Sequence, residues 1–306
     1  MSIILDKIRN KIKYELGINK LEQEYESLYF LLNNVIDITK LPEAKDKDLR
    51  WLQKCDALLL VIFDALCKKF NLSYCLEFGN LLGAVRHKGF IPWDDDADVV
   101  MPREDLDKVM PLMNDIIERY GMKLSFSKLH PLRCIVLSYK REETSLWVDI
   151  FPLDYYQTDE TVEEVNKKVL KYRDIFWNHL DWTSAKLSEV KKEMFPENKY
   201  ASNKYLIGNL EVWVGDKKDI LVFDEKSIFP LQKIDFEGYK LNAPKNIDAS
   251  LRLEYGDGYM DFPRNAINTH GSSDSPVDVI KKKGTDMARV FEELQQIYKD
   301  ISNENR

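Results

Sequence analysis

Apolar residues recur every three or four positions near both ends of the chain, a spacing that predicts amphipathic helices. Residues 2–36 are expected to form one helix or a helix pair broken at Gly17, and residues 48–70 a second helix that Asn71 caps. A last stripe follows the linker-like segment 271–276. Its apolar face must be covered, either by the N-terminal helices or by a second copy of the chain.

The middle of the chain alternates short apolar runs, which are typical of strands, with further helical stripes. Charged residues 141–144 predict a hairpin turn, and Pro111 predicts a kink in a long helix. The predicted strands are 73–78, 97–101, 122–126, 133–140, 146–151, 206–214 and 219–223, followed by a hairpin over 233–241 that turns at Glu237-Gly238. The predicted helices are 104–120, 159–192 and 246–255.

A mixed sheet with flanking helices is an α+β fold, and the terminal stripes add helices at both ends. We expect residues 1–47 to form an N-terminal helical extension and residues 48–156 to form the core. Residues 157–270 are expected to form a helical and small β region that completes the functional site. Residues 271–306 would then be a linker and a C-terminal helix.

Composition and charge narrow the functional classes. The chain has 306 residues with 44% hydrophobic content, enough for a substantial core, and its net charge of −7 argues against nucleic-acid binding, which needs a basic face. Neither a signal peptide nor a transmembrane segment is apparent. The four cysteines include no Cys-x-x-Cys pair and lie among apolar residues, so we expect buried free thiols and a reducing, cytoplasmic compartment.

A glycine turn and a group of acids lie close together in residues 77–101, which read EFGNLLGAVRHKGFIPWDDDADVVM. Gly79 and Asn80 close an apolar run before a short helical continuation, so their backbone N–H groups are placed to face an anion. Arg86 and Lys88 follow as phosphate clamps or as cations that the helix dipole favours. Both interpretations stay open at this level.

The acids that follow suggest a metal site. Asp96 and Asp98 are two positions apart, so in a strand they share one face with Cα atoms about 6.6 Å apart. Asp149 is an acid inside another apolar strand, and a third carboxylate beside the pair would suit Mg²⁺ in phosphoryl transfer. Asp94 and Asp95 are interpreted as supporting acids.

The acids also have simpler explanations. Runs of acids usually belong to solvated loops, and Trp93 is more typical of core packing than of ligand contact. An EF-hand shares the first three ligand spacings, but Val99 replaces its required glycine and Asp105 stands at its twelfth position. A calcium loop of that type is therefore excluded.

The stretch GNLLGAVRHKGFIPWDDDAD at residues 79–98 resembles the signature of LicD-family phosphotransferases. The similarity covers about residues 50–265 and continues in the motifs at 148–154, 229–231, 236–238, 243–244 and 255–260. The resemblance implies a nucleotidyltransferase-like fold that moves a phosphorylated group from a CDP-activated donor to a sugar hydroxyl. Phosphocholine is the best-known group donated in this family, and fukutin-type ribitol-phosphate transferases are relatives.

The resemblance also assigns roles to residues. It implies that the Gly79-Asn80 turn holds the donor phosphate, while Asp96 and Asp98 hold Mg²⁺ or Mn²⁺ and Asp149 supplies the third carboxylate and a candidate general base. Arg86 would stabilise the departing charge. The remaining substrate-binding candidates are Lys88, as a phosphate clamp, and the aromatic residues Trp93, Tyr255 and Tyr259, which would enclose a quaternary ammonium.

The expected acceptor is a cell-surface glycan or its lipid-linked precursor, of the lipopolysaccharide or teichoic acid kind, which would bring the enzyme to the inner face of the membrane. Two other classes are kept as alternatives. A metal-dependent glycosyltransferase also uses an Asp-x-Asp pair, with a nucleotide sugar as donor. A non-catalytic glycan-binding descendant is the second, and the oligomeric state stays open.

Overall fold

The computed structural model describes residue 13 and residues 16–126, 134–179, 182–211, 221–263 and 275–304. Helices and strands are each numbered in chain order. The helices are α1 Ile18–Val35, α2 Lys47–Phe70, α3 Phe78–His87, α4 Arg103–Ile117, α5 Arg141–Thr144, α6 Val162–Asn178, α7 Ser184–Met194, α8 Glu225–Ile228, α9 Ile247–Tyr255, α10 Pro276–Lys283 and α11 Met287–Glu304. The strands are β1 Cys75–Leu76, β2 Asp98–Pro102, β3 Met122–Phe126, β4 Ile135–Tyr139, β5 Leu146–Thr158, β6 Asn203–Gly208, β7 Leu221–Asp224, β8 Gln232–Phe236 and β9 Tyr239–Ala243.

A seven-stranded mixed sheet forms the centre of the fold, in the order β1-β2-β5-β4-β3, and β6 and β7 extend it from the second half of β5. Strands β2 and β5 run parallel, whereas the other pairs in this sheet are antiparallel. Strands β8 and β9 form the separate predicted hairpin. The predicted α+β fold with a mixed sheet and flanking helices is confirmed.

Three strand predictions were wrong in length. The strand predicted over 206–214 is β6, which starts at Asn203 and ends at Gly208, while residues 212–214 lie outside the described residues. The first predicted strand shrinks to Cys75–Leu76, because Phe78 already begins α3. Strand β5 runs on past the predicted end at Phe151 to Thr158, because residues 153–158 pair with β6, a partner that follows far along the chain. The predicted turn at residues 141–144 is the short helix α5, which still joins two antiparallel strands.

Helix α2 is the central helix of the core. Its side chains from Leu52 to Cys67 are buried almost without exception, including several on the side away from the apolar stripe. The C-terminal helix α11 buries Val290, Leu294 and Ile301 and packs against α2, where Trp51 and Phe291 bring their rings to 5.9 Å. The last helical stripe therefore covers a helix of its own chain.

Helix α1 begins after the predicted break at Gly17, which adopts the left-handed conformation. Its apolar side chains are unusually open to solvent, with Leu21 63% and Phe30 64% exposed. The stripe predicted over residues 2–12 and most of the predicted linker, residues 271–274, lie outside the described residues. Among the residues that are described, no helix combines the length and the apolar character needed to cross a membrane. The predicted free buried thiols are confirmed at Cys55, Cys67, Cys75 and Cys134.

Candidate active site

The parallel strands β2 and β5 place Asp98 and Asp149 side by side. The two residues are register partners, and the backbone N–H of Asp149 donates to the carbonyl of Ala97 at 2.8 Å. Neighbouring strands lie about 4.8 Å apart, so the two carboxylates emerge next to each other. Strand β2 begins only at Asp98, so Asp96 lies in the loop before the strand rather than within it.

The acids act on one another electrostatically. Burial raises the pKa of Asp98 well above its ordinary value, and the charges of Asp96 and Asp149 raise it further. Burial likewise raises the pKa of Asp94, and the negative charge of Asp96 raises it further. The structure therefore brings together the acids that the sequence singled out, close enough for each negative charge to act on the others.

Two further buried acids, Asp56 and Glu77, and the half-buried Glu254 lie near this group and were not predicted. Burial raises the pKa of Asp56 on α2, and Asp96 and Asp95 add to the effect. Glu77 is fully buried, both of its carboxylate oxygens lack a hydrogen-bond partner among the described residues, and its pKa is raised by burial and by Glu254. The sequence did carry a signal for the burial of these two acids, because Asp56 and Glu77 each lie within an apolar stripe or run.

The donor set suits a hard divalent cation in its chemistry, because it consists of carboxylate oxygens. Asp94 Oδ2 and Asp56 Oδ1 are buried without a partner in the described part of the chain. As the side chains stand, however, no three His, Cys, Asp or Glu residues in that part are arranged to hold a metal ion. Carboxylates that lie this close to one another repel, so their oxygens can converge on one point only when a cation lies between them.

The predicted glycine turn is the N-terminus of α3, where the first backbone N–H groups have no partner within the helix. A Cβ at Gly79 would stand 2.6 Å from Asp94 Oδ2, so glycine is needed for the close approach of that carboxylate. Asp94 thus lies against the helix end at which donor phosphate was predicted.

The Asn80 side chain fastens α3 to the acids. Its Oδ1 accepts a hydrogen bond from the backbone N–H of Asp98, and its Nδ2 donates to the carbonyl of Asp96 at 3.4 Å. The side chain is buried. Asn80 can therefore offer a phosphate only its backbone N–H, while its amide shapes the loop.

Arg86 and Lys88 do not reach the N-terminus of α3. The buried guanidinium of Arg86 donates to the backbone carbonyls of Tyr259 and Asp261, and burial lowers its pKa. Lys88 is the C-cap of α3, and nine residues of helix place it about 13 Å from Gly79. It lines a cleft of about 280 Å³ together with Glu43, Arg50, His87 and Glu237.

The three predicted aromatic residues have different surroundings. Tyr255 is 42% exposed as a whole, but its hydroxyl end is buried, and the pKa of that hydroxyl is raised by this burial and by Glu254 and Asp94, which lie near it. Tyr259 instead donates to Asp248 at 2.9 Å, and the Arg252 guanidinium lies 5.8 Å from its ring centroid. Trp93 is 37% exposed. The structure thus brings Tyr255 to the acids, whereas the ring of Tyr259, in the turn after α9, already faces the cation Arg252 of that helix.

Comparison with known proteins gives the same assignment as the resemblance. Residues 71–183 match the model of the LicD/FKTN/FKRP nucleotidyltransferase domain. Lipopolysaccharide cholinephosphotransferase LicD of Haemophilus influenzae is 27% identical over 197 residues, which cover 60% of this chain and 70% of that protein. Ribitol 5-phosphate transferase FKRP of Homo sapiens is 24% identical over 195 residues, 63% of this chain and 30% of that protein.

An uncharacterized protein of Rickettsia typhi is 31% identical over 105 residues, so this chain spans 33% of its length. The matched domain contains the glycine turn, the acids of the loop and Asp149. Over residues 71–183, the chain therefore matches the nucleotidyltransferase domain of LicD, FKTN and FKRP.

Proposed function

We propose that this protein transfers a phosphorylated group from a CDP-activated donor to a glycan hydroxyl in a metal-dependent reaction. The observation that carries the proposal is the pairing of Asp98 with Asp149 on adjacent parallel strands, with Asp96 and a helix N-terminus beside them, inside a LicD-type domain. Both named relatives are transferases of a phosphorylated group by name.

In this proposal Asp96, Asp98 and Asp149 hold Mg²⁺ or Mn²⁺. A divalent cation supplies charge neutralisation to the phosphoryl oxygens and to the departing nucleotide. The acids would then meet a positive charge that offsets their desolvation, which explains why carboxylates are concentrated beside a buried strand.

Two neighbouring side chains orient the Asp149 carboxylate, which suits it for accepting a proton as well as for binding metal. The Trp147 indole donates to Asp149 Oδ2 at 3.1 Å, and the Cys134 thiol lies 3.8 Å from Oδ1. A carboxylate held on both oxygens keeps a fixed direction, which favours removal of a proton from the acceptor hydroxyl as it attacks. Asp149 is thus our candidate general base.

The N-terminus of α3 is the proposed contact for the donor phosphates, through the backbone N–H groups of Gly79 and Asn80. Arg86 and Lys88 are not assigned to the donor phosphates, because Arg86 binds backbone carbonyls and Lys88 lines a separate cleft. The Tyr255 hydroxyl, which reaches the acids, is the described aromatic group best placed to contact the donor.

The name of the Haemophilus relative favours phosphocholine as the transferred group and a lipopolysaccharide-type glycan as acceptor. The human relative is named for ribitol 5-phosphate, so a polyol phosphate is the next candidate. The buried free thiols fit a reducing, cytoplasmic setting, and a lipid-linked acceptor would bring the protein to the inner face of the membrane.

A donor screen tests the proposal. CDP-choline, CDP-ethanolamine, CDP-ribitol, CDP-glycerol and several nucleotide sugars are offered with Mg²⁺ or Mn²⁺ and a panel of glycans, and nucleotide release is measured. We expect CMP release from one CDP-activated donor, strongest for CDP-choline. Release from nucleotide sugars alone would identify a glycosyltransferase and reject the proposal.

A further inference from the structure

The acids of the candidate site lie on a segment that has no regular structure of its own. We call residues 88–97, between the end of α3 and the start of β2, the acid loop. Backbone groups in an irregular segment lack the repeating partners of helices and strands, so other parts of the chain must supply them. The Asn80 side chain holds only the end of the acid loop, through the Asp96 carbonyl and through the N–H of Asp98, which follows the loop.

The tip of the β8–β9 hairpin holds the beginning of the acid loop. The Glu237 backbone N–H donates to the Lys88 carbonyl at 2.8 Å, and Glu237 Oε1 accepts from the Phe90 backbone N–H at 3.1 Å. A Cβ at Gly89 would stand 2.3 Å from the same oxygen, so the loop is closely fitted around this carboxylate. Glu237 and Phe90 are 147 positions apart in the chain, so this is a contact between distant segments.

Helix α2 holds the same loop from the other side. Arg50 donates two hydrogen bonds to the Glu237 carboxylate, at 3.0 and 2.7 Å, and the side chains of both residues are largely buried. One turn further along α2, the buried Gln53 Nε2 donates to the carbonyls of Ile91 at 3.1 Å and Asp94 at 2.9 Å. Phe90, Ile91 and Asp94 are therefore all anchored by side chains from outside the loop.

We propose that Glu237, together with Arg50 and Gln53, is a latch that positions the acid loop for the reaction. None of these side chains acts on the substrate. They fix the backbone from which Asp94 and Asp96 project, and the charge pair between Arg50 and Glu237 keeps the Glu237 carboxylate directed at Phe90. The catalytic consequence rests on the proposed function, whereas the ordering of the loop does not.

The test compares Glu237→Ala, the conservative Glu237→Gln and Gln53→Met with the control Asp235→Asn. Asp235 pairs with Lys240 on the exposed side of the same hairpin, so the control removes an ion pair without touching the loop. Hydrogen exchange of peptides covering residues 88–98 is measured by mass spectrometry and compared with peptides from α11. Turnover is measured on the best donor.

We expect exchange of the loop peptides to rise at least about tenfold in Glu237→Ala and Gln53→Met, with α11 unchanged, and to be partly restored in Glu237→Gln. A misplacement of about 1 Å can lower a rate about 100-fold, so kcat should fall about 10- to 100-fold while the donor KM stays within about threefold. Asp235→Asn should match wild type in both measurements.

Unchanged loop exchange in both Gln53→Met and Glu237→Ala would overturn the latch, and so would a rise that is equal in α11, because that describes general loss of stability. Should Glu237→Ala fail to fold, Gln53→Met and Glu237→Gln decide the question. If no donor is turned over, the proposed function fails while the exchange experiment still decides the latch.

Discussion

Asp98 and Asp149 are register partners on two parallel strands, although they lie about fifty positions apart in the chain. Residues opposite each other on adjacent strands point to the same face of a sheet. Both carboxylates therefore project together, and burial makes their shared negative charge expensive in the absence of a cation.

Asp98→Asn is expected to abolish transfer while leaving the fold intact. A bound cation contributes several kcal/mol to phosphoryl transfer, so turnover should fall at least about 100-fold. In EDTA the melting temperature should stay level or rise, because one of the repelling charges is removed. The matched control is Asp115→Asn, an exposed acid on α4. Undiminished turnover in Asp98→Asn would remove this residue from the metal site.

Glu77 predicts a dependence of stability on pH. Its pKa in the folded protein is raised by burial and by Glu254, so the folded state favours the protonated acid. Its contribution is fully favourable below the ordinary pKa of 4.5 and is lost as pH rises through the raised value.

Glu77→Gln remains neutral at every pH, so in EDTA it should be more stable than wild type by at least about 1 kcal/mol at pH 8 and by much less at pH 5. Urea unfolding at both pH values measures the difference. A difference between variant and wild type that is the same at pH 5 and pH 8 would show that Glu77 does not titrate as described.

The two tyrosines of α9 and its following turn should behave differently. Tyr255→Leu removes the aromatic ring whose hydroxyl lies at the acids, so we expect at least about a tenfold loss of kcat/KM and a reduced preference for CDP-choline over CDP-ribitol. Tyr259→Phe loses only a hydrogen bond to Asp248 and should stay within about twofold of wild type. An unchanged donor preference in Tyr255→Leu would remove this residue from the donor site.

A buried network of ion pairs around Asp154 should contribute strongly to stability. Asp154 accepts hydrogen bonds from Arg103 at 2.9 and 2.7 Å and from Lys191 at 2.6 Å, and Arg103 also contacts Glu211. Removing one partner from a buried pair leaves uncompensated charge and costs about 3–5 kcal/mol. Asp154→Asn should lose about this much free energy of unfolding.

The exposed pair between Lys186 and Glu189 provides the control for this network, since Lys186→Met should change stability by less than about 1 kcal/mol. Chemical denaturation of both variants makes the comparison. Equal effects of the two substitutions would mean that the buried network is no stronger than a surface pair.

The sequence predicted those parts of the site that depend on local pattern. The spacing of Asp96 and Asp98 and the acid at Asp149 within an apolar run were visible directly, and the structure places Asp149 beside Asp98 as expected. The helix N-terminus at Gly79 was likewise marked by the glycine and the change of periodicity.

The partners of Arg86 and Glu77 were not predictable in this way. Arg86 binds carbonyls more than 170 positions away, and the burial of Glu77 depends on how α9 packs over α3. A basic residue close to a glycine turn suggests a phosphate contact, but the C-terminal half of α3 directs Arg86 to another segment. Local spacing gives the face of an element, whereas the partner on that face is decided by tertiary packing.

The most direct test of the account follows the diphosphate of CDP-choline by ³¹P NMR with wild-type protein, Asp98→Asn and Asp149→Asn, each with Mg²⁺ and then with excess EDTA. Each sample also contains the glycan acceptor that supports turnover in the donor screen, so that the phosphorylated group has a hydroxyl to receive it. The account predicts that wild-type protein releases CMP with Mg²⁺, that EDTA stops the release, and that both variants release CMP at least about 100-fold more slowly. Release of CMP that persists in EDTA, or that is undiminished in both variants, would contradict it.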